Sequence, residues 1–149
     1  MNQFEITQEI SASAGKVWEA LSDVCRWPEW NPSVQKVVAL TPQSIRLGSR
    51  FLVKQPKLAP LVYEVTVFEP DELFSLEAQY PGFHIAADHW ITPAAERKVV
   101  VNLILRQKGW LTPLSRLFFS NLIQRYLVME AEGLQKRSES VLPYPMMMG

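Results

Sequence analysis

Only one cysteine, Cys25, stands among 149 residues, so an internal disulfide and a cysteine-built zinc site are both excluded. An excess of charge is lacking as well, since 15 Lys and Arg balance 15 Asp and Glu. With no net field, nucleic acid is not an expected partner, nor is an anionic membrane face captured by charge alone. Glycines number six and form no phosphate-cradling loop, and no Gly-x-Ser-x-Gly elbow occurs. The longest apolar stretch, residues 110–128, is broken by Arg116 and Arg125 and falls short of the ~18 uncharged residues of a membrane span. Met1-Asn2-Gln3-Phe4-Glu5 lacks the basic-then-apolar order of a signal peptide. The expectation is a cytoplasmic soluble protein with no integral membrane segment.

What is present is apolar and aromatic: 48% hydrophobic residues, with five Trp, seven Phe and four Tyr. That supply suits a large core or an aromatic-lined cavity. The length fits a single domain over residues 1–149, with 140–149 reading as a loose tail ending in three methionines. Phe4, Ile6 and Ile10 alternate with Glu5, Thr7 and Glu9, the period of a strand with one wet face. Ser13 is placed to cap a short helix that shows Ala14, Val17, Trp18 and Leu21 on one side. The Trp27-Pro28 pair should end that helix. Cys25, near its end, has the spacing of a buried residue and is expected to be inert.

Strands are predicted at 34–40, 49–55, 61–68, 73–80, 83–92 and 98–106, between turn signals such as Glu69-Pro70-Asp71 and Pro81-Gly82. Separators this short dictate antiparallel neighbours, hence a meander. A long helix begins near Thr112-Pro113, with threonine as cap. Its Phe118, Phe119, Leu122, Ile123, Tyr126, Met129 and Leu134 share a wide apolar face that must lie across the sheet.

That order of elements resembles the helix-grip fold. The residues carrying the likeness are Trp27-Pro28-Glu29-Trp30-Asn31-Pro32, Val67-Phe68-Glu69-Pro70-Asp71-Glu72-Leu73, Gly109, and Glu130-Ala131-Glu132-Gly133-Leu134-Gln135. Together they resemble the polyketide cyclase/dehydratase branch of the START-like (SRPBCC) superfamily, whose relatives include the birch-pollen-allergen type. The likeness runs from about residue 3 to residue 139; one departure is Ala95-Glu96-Arg97, where relatives usually show a Gly-Thr turn. The resemblance implies an α+β fold, a curved antiparallel sheet of about seven strands wrapped on a long C-terminal helix, with short helices after the first strand. It also implies a cavity for a hydrophobic or amphipathic small molecule: a lipid, polyketide, aromatic or isoprenoid metabolite. No reaction is implied, because members include enzymes, carriers and sensors.

Candidate site residues follow from strand parity. His84, Asp88 and His89 invite a metal reading, but residues five apart in a strand point to opposite faces, so no metal site is expected. His89 is in step with Phe83, Ile85, Ala87 and Ile91 and should face the cavity. It is the best candidate for an acid or base, or else a hydrogen-bonded histidine that orients a ligand. Tyr63 is in step with Leu61, Val65 and Val67, and Tyr80 with Phe74, Leu76 and Ala78; each is a cavity hydroxyl or a core ring. Val101 and Leu103, with Val99 and Leu105, should face inward. From the helix, Phe118, Leu122, Tyr126 and Met129 should face the sheet. Trp27, Trp30 and Trp110 are lids or plugs, and Arg50 and Lys54 are either cations at the cavity mouth or a solvated strand face.

The expected ligand-binding set is thus Trp27, Tyr63, Val65, Leu76, Tyr80, Phe83, His89, Val101, Leu103, Phe118, Leu122 and Tyr126, with no cofactor. Three functions remain open: a small-molecule binder, a cyclase/dehydratase-type enzyme using a pocket His or Tyr, or a filled core acting through its surface. Any uncovered part of the helix face could make a homodimer patch or a lipid-docking site.

Overall fold

The computed structural model describes residues 2–42 and 44–140. β1 (Asn2–Ile10) alternates inward and outward residues as its sequence requires. The chain then turns into α1 (Ala14–Ser22), where the Ser13 hydroxyl accepts from the Lys16 amide at 3.2 Å and Val17 and Leu21 are buried. α1 ends at Ser22, earlier than the prolines would dictate, and Trp27 and Pro28 lie in a separate 3₁₀ turn, Val24–Glu29. The Trp27 indole N–H closes that corner by donating to the Leu21 carbonyl at 2.9 Å. Cys25 sits on the turn's outside and is exposed, because the change of helix type removes it from the inner face of α1. Partial burial and Asp23 push its thiol pKa up, against a bond from the Ala39 backbone.

Six further strands follow: β2 (Lys36–Ala39), β3 (Arg50–Lys54), β4 (Leu61–Glu69), β5 (Leu73–Tyr80), β6 (Phe83–Ala95) and β7 (Lys98–Lys108). They form a seven-stranded antiparallel sheet in the order β1-β7-β6-β5-β4-β3-β2. β1 joins the far edge, with Phe4 opposite Leu105 and Ile10 opposite Val99. α1 and the 3₁₀ turn therefore carry the chain from one edge of the sheet to the other. Between β5 and β6 the turn is Pro81-Gly82, with Gly82 at φ +78°, a conformation open to glycine without strain.

Two irregularities change which residues face inward. A bulge in β4 between Val65 and Val67 sets Val67 opposite Ser75 and Phe68 opposite Phe74. Strict alternation put Val67 with the inner set; the extra residue brings Phe68 in instead, its ring 5.7 Å from that of Trp18. β6 runs past its expected end at Thr92 to Ala95, and the ladder shifts register after Pro93, which has no N–H to donate.

α2 (Thr112–Glu139) lies across the inner face. Leu111 rather than Thr112 is its cap, and the Thr112 hydroxyl is buried with no partner among the described residues, so the expected threonine cap does not form. The Leu111 amide instead donates to the Gly82 carbonyl at 2.9 Å, anchoring the helix start on the β5–β6 turn. Near the other end, a Cβ on Gly133 would stand 2.0 Å from the Trp30 carbonyl oxygen. The tryptophan loop thus crosses the helix where there is no side chain. Ile10, Val17, Leu21, Phe74, Leu103 and Leu134 are each at most 2% exposed; burial of such a side chain stabilises the fold by about 1.5–3 kcal/mol. The expected tail lies outside the described residues beyond Ser140. Among the described residues, no helix is long and apolar enough to cross a membrane.

Candidate functional site

Between the sheet and α2 the side chains leave a cavity of about 350 Å³. The interior is therefore not filled. At one end Trp27, Val34, His89 and Glu130 close it off in buried surroundings. At the other, Ala59 of the β3–β4 loop and Phe119 of α2 are exposed and mark the mouth. Phe119 and Glu130 are three turns apart on one helix, about 16 Å along its axis.

The deep end is built around His89. Its Nδ1 lies 3.2 Å from the Phe74 carbonyl oxygen across the β5–β6 pair. A carbonyl only accepts, so Nδ1 carries a proton and donates it there. The imidazole stacks on the Phe74 ring, centroids 4.4 Å apart and planes 8° apart, and abuts Trp27 at 5.5 Å. Its other nitrogen, Nε2, faces Glu130 Oε2 at 3.3 Å, with the two side chains 4% and 13% exposed. That separation suits an ion pair, yet Glu130 Oε2 has no aligned hydrogen-bond partner among the described residues.

Tyr63 lines the same cavity and is buried. Burial first, then Tyr80 and Glu130, push its phenol well above the usual tyrosine range, so it stays protonated and can donate. Tyr126 reaches from α2 to the β3–β4 loop, where its hydroxyl donates to the Pro56 carbonyl. Burial raises its pKa as well, against a lowering by Arg125. Lys54 does not present a free cation at the mouth: its Nζ donates to the Gln55 carbonyl at 2.7 Å and to that of Leu58, bracing the loop. Arg50 is exposed.

Of the expected binding set, Trp27, Tyr63, Leu76, Phe83, His89 and Tyr126 line the cavity. Val65, Val101 and Leu103 have the expected inward parity but are packed solid in the core at 0–2% exposure, away from the void. Tyr80 is not on the cavity wall, its hydroxyl accepting from the Val62 amide at 2.9 Å. Phe118 is 67% exposed and Leu122 only half-buried. Phe119, Ile123 and Tyr126 of the expected apolar face do line the cavity, but Leu127 and Glu130 join them in place of Phe118 and Leu122, so the inner face is rotated from the one counted by apolar content. Met129 is likewise off the cavity, and Trp30 is a buried plug beside α2. Trp110 packs on Gly82 and is 75% exposed; with Leu114, Leu117 and Phe118 it leaves an uncovered apolar patch where α2 begins.

Sequence reasoning missed Glu130 and Gln107. Ile123, Leu127, Glu130 and Leu134 follow steps of four, three and four, a helical-face signal in which a carboxylate was passed over for being polar. Gln107 lies one residue beyond the expected end of β7; it is 1% exposed, and its side-chain oxygen accepts from Ser115 Oγ at 3.4 Å.

His84 and Asp88 face the opposite side of the sheet from His89. His84 pairs with Glu77 at 2.8 Å, while Asp88 accepts from Ser75 Oγ at 2.6 Å and pairs with Arg106 at 2.7 Å. Glu77 also accepts from Thr66 Oγ1 at 2.7 Å, and this bond, with help from His84 and Arg106, holds its carboxyl below the ordinary range despite some burial.

A family model described as polyketide cyclase/dehydrase and lipid transport matches residues 1–139. Solved structures share the architecture at low identity. A START superfamily protein from Mycobacterium smegmatis aligns with a TM-score of 0.71 at 18% identity, over 91% of this chain and 97% of that one. Truncated norcoclaurine synthase from Thalictrum flavum gives 0.72 at 14% identity, over 91% of each chain. The di-domain ARO/CYC protein BexL of the BE-7585A biosynthetic pathway gives 0.73 at 15%, over 93% of this chain and 47% of that one. Among curated proteins, none matches. At these identities the likenesses show the fold, a curved antiparallel sheet gripping a long helix.

Proposed function

The chain belongs to the polyketide cyclase/dehydrase and lipid transport family, and on that premise we propose that it binds a hydrophobic or amphipathic small molecule between the sheet and α2. The observation that carries this reading is the cavity itself, about 350 Å³ with walls such as Val53, Leu76, Ile85 and Leu105. A cavity of ~150 Å³ holds a benzene ring, so the space suits a body of about two rings or an equivalent chain. Binding would be driven by removing the ligand's apolar surface from water, with His89, Glu130 and Tyr63 fixing its orientation.

An enzyme of the cyclase/dehydratase type is a second reading, favoured by one observation: two groups able to exchange a proton, His89 and Glu130, converge at the deep end. A cytoplasmic setting goes with either reading, and the exposed free thiol of Cys25 suits a reducing compartment.

Ala87 tests the binding reading. It lies on the cavity wall beside Ile85 and His89, opposite Leu76 and Leu105 in the sheet. Ala87→Phe fills the void without touching the uncovered patch near Trp110. Wild-type protein is expected to take up one equivalent of a neutral hydrophobic dye, and Ala87→Phe, still folding cooperatively, to lose most of that uptake. Equal uptake by both would assign the dye to the outer patch and defeat the reading. Native mass spectrometry with organic extraction of freshly purified protein then identifies the class of any passenger.

A further inference from the structure

At the deep end of the cavity a buried imidazole edge and a buried carboxylate oxygen face each other with no aligned hydrogen bond between them. Phe74 O takes the Nδ1 proton, so Nε2 is the edge that His89 turns toward Glu130. Opposite it, at 3.3 Å, stands Glu130 Oε2, buried and, among the described residues, without an aligned donor. An unmet acceptor in such a place is costly, and meeting it is worth more than in water. Tyr63, on the same wall, contributes a hydroxyl that donates.

We propose that the deep end recognises the hydroxyl group of an alcohol or phenol carried on an apolar body, the O–H being given to the Glu130/His89 pair. This rests on the binding reading above and adds which end of the ligand goes in first. A carboxylate would bring a second negative charge against Glu130 in dry surroundings. An ammonium could pair with Glu130 but accepts nothing, leaving Tyr63 without a use, whereas a hydroxyl both donates and accepts. The flat walls formed by the His89–Phe74 stack and Trp27 favour a ring next to the hydroxyl.

Equilibrium dialysis of wild-type protein against four probes of similar body tests this: naphthalene, 2-naphthol, 2-naphthoate and 2-naphthylmethylamine. The expected result is 2-naphthol binding at least ten-fold tighter than each of the others. In Glu130→Leu the advantage over naphthalene should fall to under three-fold while naphthalene itself binds as before or better. Glu130→Gln, which keeps the shape and one acceptor, should retain an intermediate preference and serves if the leucine variant does not fold. Equal binding of naphthol and naphthalene, tighter binding of the amine or the acid, or a naphthol preference that survives in Glu130→Leu each overturn the assignment. If no naphthyl probe binds while the wild type takes up the hydrophobic dye and Ala87→Phe does not, the hydroxyl assignment fails and the cavity reading stands. If the dye is refused as well, both fail.

Discussion

The imidazole of His89 lies flat on the ring of Phe74 and at the same time donates from Nδ1 to the carbonyl of that residue. One residue therefore sets both the plane and the tautomer of a histidine on the cavity wall. Phe74→Leu keeps most of the buried volume and the carbonyl while removing the stack. It should lower stability in urea titrations by about 1–2 kcal/mol. It should also speed the exchange of the His89 Nδ1 proton in NMR spectra; an unchanged exchange rate would show that the stack does not hold the ring.

Glycine to alanine inside a helix ordinarily stabilises by about 1 kcal/mol. At Gly133 the sign should reverse. The new methyl would meet the backbone carbonyl of Trp30 at 2.0 Å, and a backbone atom cannot swing away as a side-chain tip can. Gly133→Ala should destabilise by about 1–3 kcal/mol. A gain in denaturation midpoint would contradict the close approach.

Glu77 gives a pH dependence with a definite sign. Its folded pKa is depressed below the ordinary value of 4.5, chiefly by the Thr66 hydroxyl, against a smaller opposing effect of burial. Its contribution is thus fully present above pH 4.5 and is lost as the pH falls through the lower folded value. Glu77→Gln should be less stable than wild type at pH 6, and the gap should close on acidification; parallel stability curves down to pH 3 would refute this.

Trp27 reports on the cavity and braces the 3₁₀ turn together. Trp27→Phe gives up the bond to Leu21 O and should cost about 1 kcal/mol, or more if that carbonyl finds no water. Ligand uptake at the deep end should change tryptophan emission in wild type and leave it nearly unchanged in this variant. A persistent response would place the ligand near another tryptophan.

Much of the architecture could be read locally. β5 is bounded by Pro70-Asp71 and Pro81-Gly82, turn signals strong enough that its limits, Leu73–Tyr80, were legible to the residue. Inward parity on β6 and β7 was legible too, because period-two alternation survives wherever no bulge intervenes. The β4 bulge was not, since nothing in Val65-Thr66-Val67 distinguishes an unpaired residue from a paired one. The rotation of α2 escaped for a different reason. Phe118 is apolar but lies where the sheet offers no surface to cover it, and Glu130 is charged but lies on the cavity wall, so counting apolar residues misassigned both. A cavity, being the absence of atoms between distant elements, leaves no mark in any local pattern.

The pairing of β1 with β7 has a consequence in time. Residues 2–10 find their partner only in residues 98–108, and α2, which covers them, comes later still. At about 5–20 residues per second of synthesis, the first strand waits about 5–20 s with its apolar edge unpaired. Ribosome-bound chains stopped before residue 98 should therefore expose Phe4 and Ile6 to protease, and chains carrying all of α2 beyond the exit tunnel should not. Protection of the shorter chains would mean that β1 first finds some other partner. β1 is made before the other described strands yet pairs with the one made last, which leaves it to holding chaperones for the whole interval between them.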